Sequence, residues 1–221
     1  MLVVRHVRAQ SEAAVRAVLT DLFRRYGLPR ALRVDNGSPF ARPGPLGLSQ
    51  LSVWWLRLGL RVEFTRPACP QDNGAHEQMH RVLKRETAQP PAATARAQQQ
   101  RFARWRRHYN QQRPHAALGL RVPASGFRRS ARRWPAHLPE WSYPKSWARL
   151  CPGTNGRCTW QGRQRMIGRA FAGEQLGLRP RGPHWAEVYL GAHVIGTLHH
   201  ADLAGLRPVR WVRSRARATG R

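Results

Sequence analysis

A change of pattern near residue 147 constrains this chain more than any other feature. Before it, short apolar runs alternate with helix-length amphipathic runs. After it, short β-like runs are separated by glycine and proline. Residues 1–8 begin apolar and alternate weakly, like a strand. Residues 11–26 predict a helix: Ser11 is placed to cap it, Val15, Val18, Leu19, Leu22, Phe23 and Tyr26 recur at helical spacing, and Gly27 and Pro29 end it. ALRV (31–34) predicts a buried strand stopped by Asp35-Asn36-Gly37. A helix over about 49–58, strand LRVEF (60–64) and a helix over about 75–87 follow, then a third long helix over about 94–111. Such alternation argues an α/β architecture.

Proline and arginine dominate from 113 to about 146, with residues 128–146 expected to act as a linker. Beyond it the runs RCTW, RQRMI, WAEVYL and AHVIGTL predict a small antiparallel β-barrel over 147–208. Residues 209–221 read as a basic tail without fixed structure, which either clamps DNA or stays free.

Charge narrows the function. Lys and Arg total 39 against 11 Asp and Glu, a formal net charge of +28, and only Lys84 and Lys145 are lysines. Between Glu86 and Glu140 there is no acid. So large a surplus repels itself unless a polyanion is near, which points to nucleic acid. Arginine suits that partner because its planar fork matches phosphate oxygens. An arginine-favouring base composition would explain arginine over lysine, but not the scarcity of acids. No stretch approaches the roughly 20 apolar residues of a membrane span. The three cysteines, Cys69, Cys151 and Cys158, lack zinc-like CxxC spacing, so a reduced intracellular setting is expected.

Two segments are candidates for chemistry, RVDNGSPFA (33–41) and PQDNGAHEQMHRVLKRE (70–86). In the first, an apolar strand delivers Asp35 to its C-terminal end, where open α/β sheets place ligands. The same residues would also serve as a plain turn. In the second, Glu77, Arg81 and Lys84 share one face of a helix, and Met79, Val82 and Leu83 share the opposite face. A carboxylate beside two cations suits a metal ligand next to phosphate contacts; the alternative is a solvated face with a Glu77–Arg81 pair. Glu86 falls on the apolar side and reads as the frayed helix end.

His76-Glu77-Gln78-Met79-His80 also matches the H-E-x-x-H signature of zinc metalloproteases. The extended form needs a glycine and a histidine where this chain has Leu83 and Glu86, and no acid follows until Glu140. Trp54, Trp55 and Trp105 are expected in the core rather than stacked on bases.

Taken in order, YGLPRALRVDNGSPFA, WWLRLGLRVEFTRPACPQDNGAHEQMHRVLKRE and YNQQRPHAALGLRVPAS resemble the integrase-like catalytic core of insertion-sequence transposases, over about residues 1–127. Residues 145–208 are similar to the small β domain that follows that core in some of them. The resemblance implies an RNase H-like fold and a three-carboxylate site holding Mg²⁺ or Mn²⁺. It implies that Asp35 and Glu77 are the second and third acids and both metal ligands. It further implies that Lys84 and Arg81 grip the transposon end, and that turns containing Asn36 and Asn73 frame the site. The implied partners are transposon-end and target DNA, and either a second copy of the chain or a full-length transposase. The implied location is the bacterial cytoplasm, at the nucleoid.

No aspartate fits the first acid of the family, which precedes the segment matching residues 1–8. The expectation is therefore an incomplete core, lacking its first strands and one carboxylate, that binds DNA but is inactive alone. The rival reading is a non-catalytic DNA-binding protein that modulates a full-length transposase.

Overall fold

The computed structural model describes residues 1–7, 11–66 and 74–209. Its contacts divide the chain into two compact units that do not follow chain order. One comprises Met1–Val34 and Glu63–Trp134; the other comprises Asp35–Val62 and the chain from Pro135 onward. Both helix and sheet are present, as the alternating pattern requires.

The first unit opens with α1 (Glu12–Tyr26). The Ser11 hydroxyl accepts from the Ala14 amide at 3.2 Å, and the Gly27 amide closes the helix on the Phe23 carbonyl at 2.9 Å. Of its apolar stripe, Phe23 is buried, while Val15, Val18, Leu19, Leu22 and Tyr26 are half-buried. Strand β1 (Ala31–Val34) pairs with β2 (Arg61–Phe64), and the Thr65 amide extends that ladder to the Val34 carbonyl at 3.0 Å. Helices α3 (Gly74–Thr87) and α4 (Ala95–Gln111) complete the unit. Their turn is held by buried Gln98, whose side chain accepts from the Ala92 amide at 2.8 Å and donates to the Thr87 carbonyl at 2.9 Å.

Residues 1–7 form no strand, contrary to the sequence expectation. Side chains of α4 take the hydrogen bonds that a neighbouring strand would have taken. The Asn110 side chain accepts from the Met1 amino group at 2.9 Å and donates to the Met1 carbonyl at 2.7 Å. Gln99 accepts from the His6 amide and donates to the Val4 carbonyl, and Arg106 donates to the Leu2 carbonyl. The segment is thus bound to a helix flank, and its backbone polar groups are satisfied there.

The second unit holds α2 (Gln50–Arg57), capped by Ser49 and Ser52 in a reciprocal box. Trp54 and Trp55 are 4% and 0% exposed, as expected of core residues. The C-terminal sheet has five antiparallel strands in the order β3 (Ala148–Leu150), β6 (Leu176–Gly182), β7 (Trp185–Leu190), β8 (His193–His199) and β9 (Arg207–Pro208). Strand β7 alternates buried and half-buried residues, the period of a one-sided core. A separate hairpin joins β4 (Arg157–Trp160) to β5 (Arg163–Met166). Its turn residues Gln161 and Gly162 both have positive φ, the geometry that lets a two-residue loop follow the strand twist.

Among the described residues the five-stranded sheet is not closed into a barrel. Closure requires every strand to pair on both sides. Here β3 and β9, with three and two residues, are edge strands with one neighbour each.

The Pro/Arg-rich segment 128–146 carries specific contacts. Ser130 and Arg132 bond to residues at the end of α1. Within the other unit, the Trp141 indole donates to Glu174 at 2.7 Å, and buried Tyr143 sits over Gly177.

Candidate nucleic-acid interface

Asp35 follows β1 directly and is exposed. Its Oδ1 accepts the Gly37 amide at 3.0 Å, and the Gly37 carbonyl accepts the Phe40 and Ala41 amides at 2.9 and 3.1 Å. This nest of local bonds holds the exposed carboxylate at the strand end. Asn36 is exposed beside it. Turn and ligand readings share this geometry.

On α3, Glu77, Arg81 and Lys84 are all exposed, while Met79 and Val82 are half-buried and Leu83 is buried. The predicted division of faces is therefore present. Among the described residues none of the three is in an ion pair, so the Glu77–Arg81 pair of a plain solvated face is not formed. The stripe offers one open carboxylate and two open cations along one helix flank. Asn73 and Asp72 lie outside the described residues, as do Cys69 and the basic tail from 210 onward.

Asp35 and Glu77 belong to different compact units. Among the described residues no group of three histidine, cysteine, aspartate or glutamate side chains could hold a metal ion. The same finding bears on the zinc reading. The His76 and His80 rings meet edge to face, with their Nε2 atoms 3.1 Å apart, and among the described residues no third protein ligand joins them. Partial burial, with the neighbouring His76 second, lowers the pKa of His80 from its ordinary value.

Glu86 is not a frayed end. It lies inside α3, where the Trp105 indole donates to it at 2.6 Å and Arg113 approaches to 3.4 Å. Sequence reasoning also did not single out Arg24, Arg129 and Arg133, which line one cleft with Trp134. The signal available is the acid-free interval between Glu86 and Glu140, which by itself reports only general charge.

An integrase core domain model matches residues 58–123, and an IS481 family transposase C-terminal domain model matches residues 153–203. The two occur in that order on one chain. Over these two segments the chain is similar to insertion-sequence transposases. Of the candidate residues, Glu77, Arg81 and Lys84 fall within the integrase-core match, and Asp35 precedes it. A curated relative is the uncharacterized 39.2 kDa protein of insertion element IS476 from Xanthomonas euvesicatoria, 33% identical over 102 residues. That stretch is 46% of this chain and 28% of the relative, so the chain spans under a third of that protein. A solved structure with a similar course is a chain of the simian T-cell lymphotropic virus intasome in complex with PP2A regulatory subunit B56 gamma. It has 15% identity and a TM-score of 0.43, and covers 85% of this chain and 64% of that one. No helix among the described residues is long and apolar enough to cross a membrane.

Proposed function

We propose that this chain binds DNA as part of transposition, through the open stripe Glu77–Arg81–Lys84 on α3. The observation that carries the reading is that, among the described residues, these three exposed groups stand without ion pairs on one helix face, inside the segment matched to an integrase core. In this reading residues 1–127 are a partial RNase H-like core and 147–208 a small β domain. Lys84 and Arg81 bind the phosphates of transposon-end or target DNA, and Asn36 and Asn73 belong to turns framing the site. A net charge of +28 supports the polyanionic partner.

Asp35 and Glu77 are the side chains that would contribute to holding Mg²⁺ or Mn²⁺. Two exposed carboxylates are a weak set for a hard cation that prefers several oxygen ligands. The function assigned to residues 1–221 by themselves is DNA binding without strand transfer, with further carboxylates supplied by other protein segments or by another copy. A second reading, a non-catalytic DNA-binding partner of a full-length transposase, is favoured by the same absence of a three-ligand group among the described residues.

The test is binding of the full chain to duplex DNA over a salt series, with Mg²⁺, Mn²⁺ or EDTA. The expected result is a steep salt dependence that flattens by about one unit in Lys84→Ala. Binding strengthened by Mg²⁺, with that gain lost in Glu77→Gln, supports the metal-binding role. An unchanged salt slope in Lys84→Ala counts against the α3 contact, and binding indifferent to metal selects the second reading.

A further inference from the structure

The end of α1 is covered by a strap from far along the chain. The Ser130 amide donates to the Tyr26 carbonyl at 3.0 Å, and the Leu28 amide donates to the Arg132 carbonyl at 2.7 Å. The Ser130 hydroxyl donates to the Leu28 carbonyl at 2.7 Å and accepts from the Arg132 amide at 3.2 Å. The Arg132 guanidinium donates to the Pro29 carbonyl at 2.7 Å. This close approach depends on Gly27. A Cβ there would lie 2.5 Å from the Ser130 oxygen and 2.8 Å from the Arg132 oxygen. Five hydrogen bonds thus fix the backbone of residues 130–132, and with it the two arginines that flank them.

Between strap and helix lies a cleft of about 620 Å³. That is within the range of small-ligand sites, roughly 300–1,000 Å³, but its lining differs from theirs. Buried Phe23 and half-buried Trp134 lie against each other with ring centroids 6.3 Å apart. Arg24, Arg129 and Arg133 are exposed around them, and no acidic residue lines the cleft. Neither Arg129 nor Arg133 is in an ion pair among the described residues. The Arg24 guanidinium lies 5.7 Å from the Trp134 ring centroid, a cation–π contact that holds it at the rim. Three cations so close repel one another, and an anion between them removes that penalty.

We propose that this cleft grips the sugar–phosphate backbone of DNA, at a contact separate from the α3 stripe. Phosphate oxygens take the forked donors of Arg24, Arg129 and Arg133. The apolar faces of the deoxyribose rings lie against Trp134, which buried Phe23 backs. An alternation of anion and apolar sugar along a strand matches a cationic rim around an aromatic wall. Such contacts set position on the duplex and carry no base sequence. Trp134 thus both meets the sugar and holds Arg24 at the rim. The strap lies between the two family-matched segments, so neither match accounts for it.

This inference rests on the DNA-binding function proposed above. The experiment uses the full chain labelled with 5-fluorotryptophan, with the Trp134 resonance assigned from Trp134→Phe, and a random-sequence DNA duplex as probe. The expected result is that the Trp134 resonance shifts on adding duplex. The shift should persist in Lys84→Ala and vanish in the double variant Arg129→Ala/Arg133→Ala. That double variant should also flatten the salt slope by about two units, and Arg129→Lys/Arg133→Lys should restore most of it. Failure of the wild-type chain to bind duplex overturns both the function and the cleft. Binding with a silent Trp134 resonance, or an unchanged slope in the double alanine variant, overturns the cleft alone.

Discussion

The indole nitrogen of Trp105 on α4 donates to the Glu86 carboxylate on α3 at 2.6 Å, joining the two helices through a polar pair at the margin of their apolar contact. Arg113 and Arg85 approach the same carboxylate at 3.4 and 3.6 Å, and the Trp105 ring stacks on Tyr109 with centroids 4.9 Å apart. Burial would raise the pKa of Glu86. The Trp105 hydrogen bond and then the charges of Arg113 and Arg85 outweigh burial and hold it below the ordinary glutamate value. Because the folded value is depressed, the stabilisation is fully present above the unfolded pKa and is lost as pH falls through the folded value. Thermal stability of the wild-type chain should therefore fall between about pH 5 and pH 3. Glu86→Gln should lose less over that interval. Parallel pH profiles for the two proteins would sink this assignment. At neutral pH, Glu86→Ala leaves the nearly buried Trp105 nitrogen unpaired and should cost about 1–3 kcal/mol in urea unfolding.

Gly27→Ala should detach the strap. Gly27 has φ +82°, and an added Cβ meets two backbone oxygens rather than a side chain able to swing away. The loss should exceed the roughly 1 kcal/mol typical of a compatible glycine-to-alanine change, and should have the opposite sign. Limited proteolysis offers a local readout. Cleavage between Phe127 and Trp134 should accelerate in the variant, and unchanged cleavage would show that the strap does not need this approach.

Tyr143 is expected to be a structural hub of the second unit. Its hydroxyl accepts the Gly191 amide at 2.9 Å and lies 2.9 and 3.2 Å from the Gln175 and Tyr189 carbonyls, to one of which it donates. Tyr143→Phe should destabilise by about 1–3 kcal/mol, since it strands buried backbone groups. Gly177→Ala should be worse, because its Cβ would come within 2.3 Å of the Tyr143 ring. A Tyr143→Phe protein as stable as wild type would refute the hub.

Arg165 is fully buried, and its guanidinium makes a single hydrogen bond, from Nη2 to the His200 carbonyl at 2.8 Å; among the described residues Nε and Nη1 have no partner. A buried cation without a counter-charge is unfavourable. Arg165→Met, of similar length and apolar, should leave the melting temperature unchanged or raise it. A fall of several degrees would mean that the arginine serves the fold in another way.

The local features of this chain were legible in the sequence. Ser11 and Gly27 bound α1, and Glu77, Arg81 and Lys84 share the flank of α3 opposite Leu83. Each depends on neighbours within about a turn of helix, so spacing alone reports it. The hairpin β4–β5 and strands β7 and β8 were legible for the same reason. Residues 1–7, by contrast, have strand-like alternation, yet their hydrogen bonds go to Asn110, Arg106 and Gln99 of α4. Backbone groups accept any partner of the right geometry, and only the tertiary structure chooses between a strand and a helix flank. Glu86 and Tyr143 were hidden in the same way, because their partners lie far away in sequence. The sequence by itself determined the charge of +28, on which the proposed class of partner rests. Only the tertiary structure decided where arginines converge, because Arg24 meets Arg129 and Arg133 through a strap whose position rests on Gly27 having no side chain.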